Sequence, residues 1–342
     1  MRKEIKITLL AVIIAGLFTA CENGKWDFPD FEYSAVYFAY QTPIRTIVLG
    51  EDIFDTSLDN EYKCQIMATM GGVYSNKKDV EIGIRVDNSL CDNLMFEETE
   101  EDIVLMPSNY YTLSSDKIVI EKGKILGGVT VQLSDAFFED AKSLETTYVI
   151  PLRMTNVENA DSILSGEPLV DDPRRGVSAD WDVEPKDYIL YAVKYINKYD
   201  ANYLRRGKDV ISGASEGVIN RHTEEVENNE VINTISTRSL STIAWEHETR
   251  DMDNFARTST LLLTFDNNSK CSVSSDTPGV TVSGSGEFVS KGDKNSWGEE
   301  DRDVIYLEYS IDYGDVQFAI TDTLVVRDRG VKAEWFSTAL KD

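Results

Sequence analysis

Residues 79–87 read DVEIGIRVD, and this stretch decides the fold class. Val80, Ile82, Ile84 and Val86 alternate with Glu81, Gly83 and Arg85, so one side of the segment is apolar and the other polar. Successive side chains of an extended chain point to opposite faces, and a period of two therefore marks a strand buried on one side. The signature recurs at 35–40, 62–69, 117–120, 129–133 and 148–154, between turn residues such as Pro107-Ser108-Asn109 and Lys122-Gly123-Lys124. Short strands punctuated this regularly predict an Ig-like β-sandwich over residues 33–160. One short helix, of a turn or two, is expected at 135–141.

From 156 to 186 the pattern lapses. Gly166, Pro168, the run Asp171-Asp172-Pro173-Arg174-Arg175-Gly176 and Pro185 accumulate there, which places a linker at 161–186. Strand patterns resume at 188–195, 231–237, 259–265, 272–274, 280–283, 304–313 and 316–326, and Asp312-Tyr313-Gly314-Asp315 reads as a tight hairpin. The fold class is thus all-β, with a second domain over 187–342. Successive hairpins without a long crossover favour an antiparallel, lipocalin-like β-barrel there, with a second sandwich as the alternative.

Composition narrows the function. The 342 residues hold 60 acidic and 34 basic side chains, a formal charge of −26. Nucleic acid is excluded as a partner, because binding it requires Lys and Arg to replace counterions along the phosphates. No Walker loop or dinucleotide fingerprint occurs, and no cofactor is expected. His222 and His247 are the only histidines, and without a CxxC pair they predict no metal centre. Asp266-Asn267-Asn268-Ser269 and Asp171-Asp172 offer hard oxygen ligands, but neither has the spacing of a calcium loop.

The first twenty residues carry an address. Arg2, Lys3 and Lys6 precede an apolar run that ends in Phe18-Thr19-Ala20-Cys21, the pattern of a secretory signal. Cys21 resembles a bacterial lipoprotein processing site, which implies lipidation there, removal of 1–20 and a short acidic tether over 21–32. The expected location is the outer membrane, facing the exterior and held through the lipid alone. Three cysteines remain, Cys64, Cys91 and Cys271. An oxidising compartment permits a Cys64–Cys91 pair, whereas three buried thiols serve equally as small apolar groups.

Four ordered segments carry a resemblance: DVEIGIRVDNSL (79–90), MPSNYYTLSSDKIVIEKG (106–123), VTVQL (129–133) and YVIPLRMTNV (148–157). Together they resemble a Bacteroidetes domain of unknown function found ahead of surface glycan-processing enzymes and in surface glycan-binding lipoproteins. Cys91-Asp92-Asn93 departs from that family's usual Tyr-Asn after the VD-x-S-L element. LYAVKYINKYDANYLRRGKD (190–209), GSGEFVSKGDKNSWGEEDRDVIYLEY (284–309) and TDTLVVRDRGVKAEWF (321–336) are similar to the partner domain of paired-domain lipoproteins from the same bacteria. The resemblance implies a glycan-uptake setting, with an outer-membrane glycan transporter complex as partner. It supplies no catalytic residues.

Sugar recognition needs flat aromatic faces against the C–H face of the ring and polar groups at its rim. Trp245, Trp297 and Trp335 have that chemistry. Trp297 lies in the polar run from Gly292 to Asp301, GDKNSWGEED, where it serves as a platform or as a plug at one end of a barrel. Trp335 serves as a platform or as a seal on the sheet. In the pair Tyr110-Tyr111, neighbouring strand residues face opposite ways, so one ring is expected at the surface. Glycoside hydrolysis would need two close carboxylates, for which Glu299-Glu300-Asp301 and Glu246-His247-Glu248 are the densest candidates. The expectation is a non-catalytic glycan-binding lipoprotein. An adhesin or pilus-associated protein and an accessory hydrolase are the alternatives.

Overall fold

The computed structural model describes residues 32–221 and 232–341. The expected leader, Cys21 and His222 lie outside the described residues. The first fourteen strands are β1 (Ala35–Tyr37), β2 (Pro43–Val48), β3 (Lys63–Gly71), β4 (Val80–Val86), β5 (Leu94–Phe96), β6 (Val104–Leu105), β7 (Tyr111–Leu113), β8 (Lys117–Ile120), β9 (Leu126–Leu133), β10 (Tyr148–Glu158), β11 (Ser162–Ile163), β12 (Glu167–Pro168), β13 (Trp181–Val183) and β14 (Tyr188–Ile196). Those that follow are β15 (Ala201–Gly213), β16 (Gly217–Arg221), β17 (Ile232–Thr237), β18 (Thr242–Arg250), β19 (Ala256–Phe265), β20 (Lys270–Ser275), β21 (Thr281–Asp293), β22 (Arg302–Asp312), β23 (Val316–Asp328), β24 (Glu334–Trp335) and β25 (Thr338–Leu340). The helices are single turns, α1 (Ser57–Asn60) and α2 (Asp135–Glu139).

Two sheets make the sandwich, in the orders β11-β1-β3-β9-β7 and β24-β2-β14-β10-β4-β8. The alternating run at 79–87 forms β4, with Ile82 opposite Ile118 of β8 and Val157 of β10. Val80, Ile82 and Ile84 pack with Ile66, Val131 and Phe137 between the sheets. Each such side chain contributes about 1.5–3 kcal/mol when fully buried. A second apolar layer, including Leu94, Phe96, Leu190 and Phe336, covers the outer face of the larger sheet.

That outer layer corrects the domain boundary. The strand at 188–196, expected to open the second domain, is hydrogen-bonded between β10 and β2 inside the sandwich. Its sequence YILYAVKYI is apolar but for Lys194 because both faces are buried over most of its length. Ile189, Tyr191, Val193 and Tyr195 face the inter-sheet core, while Tyr188, Leu190 and Ala192 face the outer layer. The C-terminal segment also returns to the sandwich, where β24 pairs with β2 and β25 with β5. From the expected linker, Arg175 forms a bidentate pair with the buried Asp187 at 2.8 and 2.9 Å.

The second domain is a closed eight-stranded barrel rather than a second sandwich. Strands β17 to β23 follow one another antiparallel, and β15 closes the ring by pairing with both β17 and β23. β16 extends the same edge of β15 beyond β17. The Asp312–Asp315 hairpin forms as expected, with Asp312 Oδ1 accepting from Gly314 N at 2.7 Å.

The chain crosses between the domains twice, and one side chain ties the crossings together. Arg329 donates to the carbonyls of Leu49 (2.7 Å), Asp200 (3.0 Å) and Asn197. Asn197, fully buried, donates in turn to the carbonyls of Ser239 and Thr242. Gly50, at φ +91°, allows Lys198 to lie against the sandwich, since a Cβ there would stand 2.6 Å from that of Lys198. Cys64, Cys91 and Cys271 are free and buried, so no Cys64–Cys91 disulfide forms. Burial pushes each thiol up to about 12.

Candidate functional site

Of the aromatics singled out in the sequence, one stands at the surface as a platform would. Trp335 is 51% exposed, and Tyr40, 58% exposed, lies beside it with ring centroids 5.5 Å apart and planes inclined by 49°. The backbone holds this corner firmly. β24 places Trp335 opposite Pro43 and Glu334 opposite Ile44. On one flank Glu334 pairs with Lys194 at 2.7 Å; on the other Phe336 is buried and its N–H donates to Thr42 O. A tryptophan between two anchored neighbours keeps its ring exposed without loosening the chain. Two inclined aromatic faces make an apolar corner of the kind that receives the C–H face of a sugar ring.

The other candidates lie elsewhere, and none joins this corner. Trp245 is 1% exposed inside the barrel, with the Arg205 guanidinium 5.0 Å over its ring and the His247 ring edge-on at 4.5 Å. It is a core residue and presents no face to a ligand. Trp297 neither plugs the end of the barrel nor stands free. It is half-buried on the outer wall against Val289 and the outward-facing Leu204, Val304 and Val325, with Arg302 stacked 4.8 Å over the ring. Tyr110 and Tyr111 are both half-buried against the sandwich core, and the Tyr110 hydroxyl donates to Asp140 at 3.0 Å. The expected free ring is absent because α2 packs over this edge, with Phe137 edge-on to Tyr110.

Sequence reasoning missed a polar cluster inside the barrel. Asp322 accepts from Arg205 Nε at 3.0 Å, from Arg221 Nη2 and from the Tyr309 hydroxyl at 2.7 Å. Arg221 also binds Asp209. The space exists because residue 207 is glycine; a Cβ there would lie 2.4 Å from Asp322 Oδ1. His247 Nε2 stands 3.0 Å from the Tyr309 oxygen. With the Tyr309 proton given to Asp322, Nε2–H is the donor, so Nδ1 carries no proton. Burial, reinforced by Arg205 and Arg221, holds His247 well below the usual imidazole range. Burial and the Asp322 carboxylate raise the Tyr309 hydroxyl well above the usual phenol range.

This cluster is expensive. Arg205 Nη2, Asp209 Oδ1, Arg221 Nε, Trp245 Nε1 and His247 Nδ1 are buried without partners. Each has under 1 Å² of accessible surface, so no ligand-sized space opens on them. The carboxylate clusters proposed for hydrolysis are likewise engaged in local contacts: Glu246 with Thr260, Glu248 with Arg250, Glu300 with Arg302 and Asp301 with Lys294. Asp266 holds its hairpin, its Oδ1 accepting from the backbone of Asn268 and Lys270 at 2.8 and 2.9 Å. Among the described residues no group of three or more His, Cys, Asp or Glu is placed to hold a metal ion.

The chain is a sandwich tied through Arg329 to a closed barrel, with an aromatic corner on the sandwich edge, and its relatives fit a two-domain Bacteroidetes protein of unknown function. A family model described as an N-terminal domain matches residues 31–161, and the domain of unknown function DUF5627 matches 198–330. The chain belongs to the family of a Bacteroides ovatus structural-genomics protein of unknown function. The two are 46% identical, the match covers 91% of this chain and 100% of the other, and the TM-score is 0.86.

Weaker likenesses include an auxiliary nutrient binding protein from Bacteroides thetaiotaomicron (14% identity, 85% of this chain and 95% of that one, TM-score 0.34). A putative carbohydrate binding protein from Bacteroides ovatus is 12% identical over 90% of this chain and 100% of that one, with a TM-score of 0.27. At those TM-scores neither likeness bears on what this chain does. No curated protein matches it.

Proposed function

We propose that the protein binds polysaccharide or oligosaccharide at the cell surface, without chemistry of its own, for a glycan uptake system. The observation that carries this reading is the half-exposed pair Trp335–Tyr40, held on a rigid strand edge. Exposed aromatics of this size on an anchored backbone lose little side-chain entropy on binding, and they suit the apolar face of a pyranose better than any charged ligand. In this reading Cys21 carries the lipid and the chain stands on the outer membrane. The anchor raises the local concentration of captured glycan beside a transporter complex.

The test is a gel-retardation screen of residues 22–342 against plant, host and microbial polysaccharides, run with an assay for released reducing sugar. Retardation without release supports capture. Release makes the protein a hydrolase, and silence across the panel shifts the reading to an adhesin.

A further inference from the structure

The junction between the domains is grooved. A cleft of about 440 Å³ lies between the Glu51–Phe54 loop of the sandwich and the barrel residues 300–303 and 326–331. A smaller hollow of about 220 Å³ adjoins it at Glu51, Lys198 and Asp303. A third, of about 420 Å³, continues past Gly50 and Lys198 toward Asn60 and Asn267. The three share Lys198 and follow the waist of the molecule as one elongated furrow.

Its chemistry is unlike that of the surface around it. Ile53 is 100% exposed and Phe54 40%, so the sandwich side offers an apolar strip at the mouth. Asp52 lies beneath that strip, with Oδ1 accepting from Ile53 N at 2.6 Å and its carboxylate answered electrostatically by Arg329. The cleft is lined by five basic side chains, Lys198, Lys291, Arg302, Arg327 and Arg329, and six acidic ones, Glu51, Asp52, Glu300, Asp301, Asp303 and Asp328, so in a chain of net charge −26 it is close to neutral. Charged donors and acceptors of both signs thus stand beside an apolar strip. That pattern fits a chain of neutral hydroxyl-bearing rings, whereas a polyanion would meet the acidic side chains and an apolar peptide would leave the charges desolvated. The furrow is also preformed, because Arg329 and Gly50 fix its two walls against each other.

We propose that the waist furrow is a second glycan site, which takes the extended part of a neutral linear oligosaccharide. It rests on the capture reading and adds to it. The corner at Trp335 and Tyr40 recognises a single ring, whereas the furrow reads chain length, with Ile53 and Phe54 against the rings and charged side chains of both signs beside the hydroxyls.

The experiment titrates the protein with cellohexaose, xylohexaose, mannohexaose and maltohexaose, and with the matching monosaccharides. Wild type is compared with Phe54→Ala, Ile53→Ala and Trp335→Ala after circular dichroism has shown each variant folded. The expected result is that wild type binds one hexasaccharide at least tenfold more tightly than its monosaccharide. Phe54→Ala and Ile53→Ala should then erase most of that tenfold while monosaccharide affinity stays unchanged. If both furrow variants bind the hexasaccharide as wild type does and only Trp335→Ala weakens it, the furrow proposal falls and the capture reading stands. If no hexasaccharide or monosaccharide binds, both fall.

Discussion

The two domains solve the same problem, filling the space enclosed by strands, in opposite ways. The sandwich interior is apolar from end to end, with Ile66, Ile82, Val131, Phe137 and Ile150 closing on one another. The barrel is apolar at its two ends, with Tyr199 stacked on Phe265 at 3.6 Å among Ile235, Ile243 and Leu263 nearer the sandwich and Ile211, Ile311, Val316 and Phe318 packed at the far end. Farther in, the same inward-facing positions hold Arg205, Asp209, Arg221, His247, Tyr309 and Asp322. An apolar core tolerates loss of one group by partial collapse. A charged one does not, because each side chain removed leaves another charge buried and unanswered.

Substitutions at matched depth sharpen that contrast. The largest effect is expected for Asp322→Ala, which strands two guanidinium groups inside the barrel. Thermal or urea unfolding should show a loss of about 3–5 kcal/mol. Ile82→Ala, equally buried in the sandwich, should cost about 2–5 kcal/mol by cavity formation. Only the first loss should depend on the partner: in the double variant Asp322→Ala with Arg205→Met, part of the stability should return, since the stranded cation is gone.

A pH series breaks the comparison in a second way. His247 stays neutral in the folded barrel, whereas in the unfolded chain it titrates near its ordinary value of about 6.5. Below that pH the unfolded state takes up a proton that the folded state refuses, so stability falls as pH drops, by at most about 1.4 kcal/mol per pH unit. His247→Gln should flatten this part of the curve, and an unchanged slope would remove His247 as its source. Smaller still is the signal from the thiols. Cys64 in the sandwich and Cys271 in the barrel are both buried with raised thiol values, so a maleimide should label neither until the protein unfolds. Rapid labelling of Cys271 alone would show that the barrel opens while the sandwich does not.

The same contrast explains what was legible in the sequence. The sandwich strands announce themselves because alternation of apolar and polar residues is what a half-buried sheet requires, and β4 is the clearest case. β15 and β18 of the barrel are not recognisable by that rule. Their inward positions read Tyr203, Arg205, Gly207, Asp209 and Trp245, His247, Thr249, so apolar periodicity fails where the buried cluster begins. β14 misleads differently, since a run buried on both faces carries no period that assigns it to one domain. The candidate site was legible as a residue type and not as a place. Exposure of Trp335 depends on Phe336 and Glu334 being anchored by segments far away in sequence, and Trp245 is hidden by the barrel that closes around it. Tyr40 and the Asp52–Phe54 strip carry no pattern at all; only the fold brings them forward.

The account rests on Trp335, and one comparison tests it most directly. Trp335→Ala should leave the unfolding midpoint nearly unchanged, because a half-exposed side chain contributes little to the core, within about 0.5 kcal/mol. Run beside wild type in native gels containing the polysaccharide that the screen identifies, it should migrate unretarded, with Tyr40→Ala intermediate. Equal retardation of wild type and folded Trp335→Ala would contradict the account and move the binding face away from this corner.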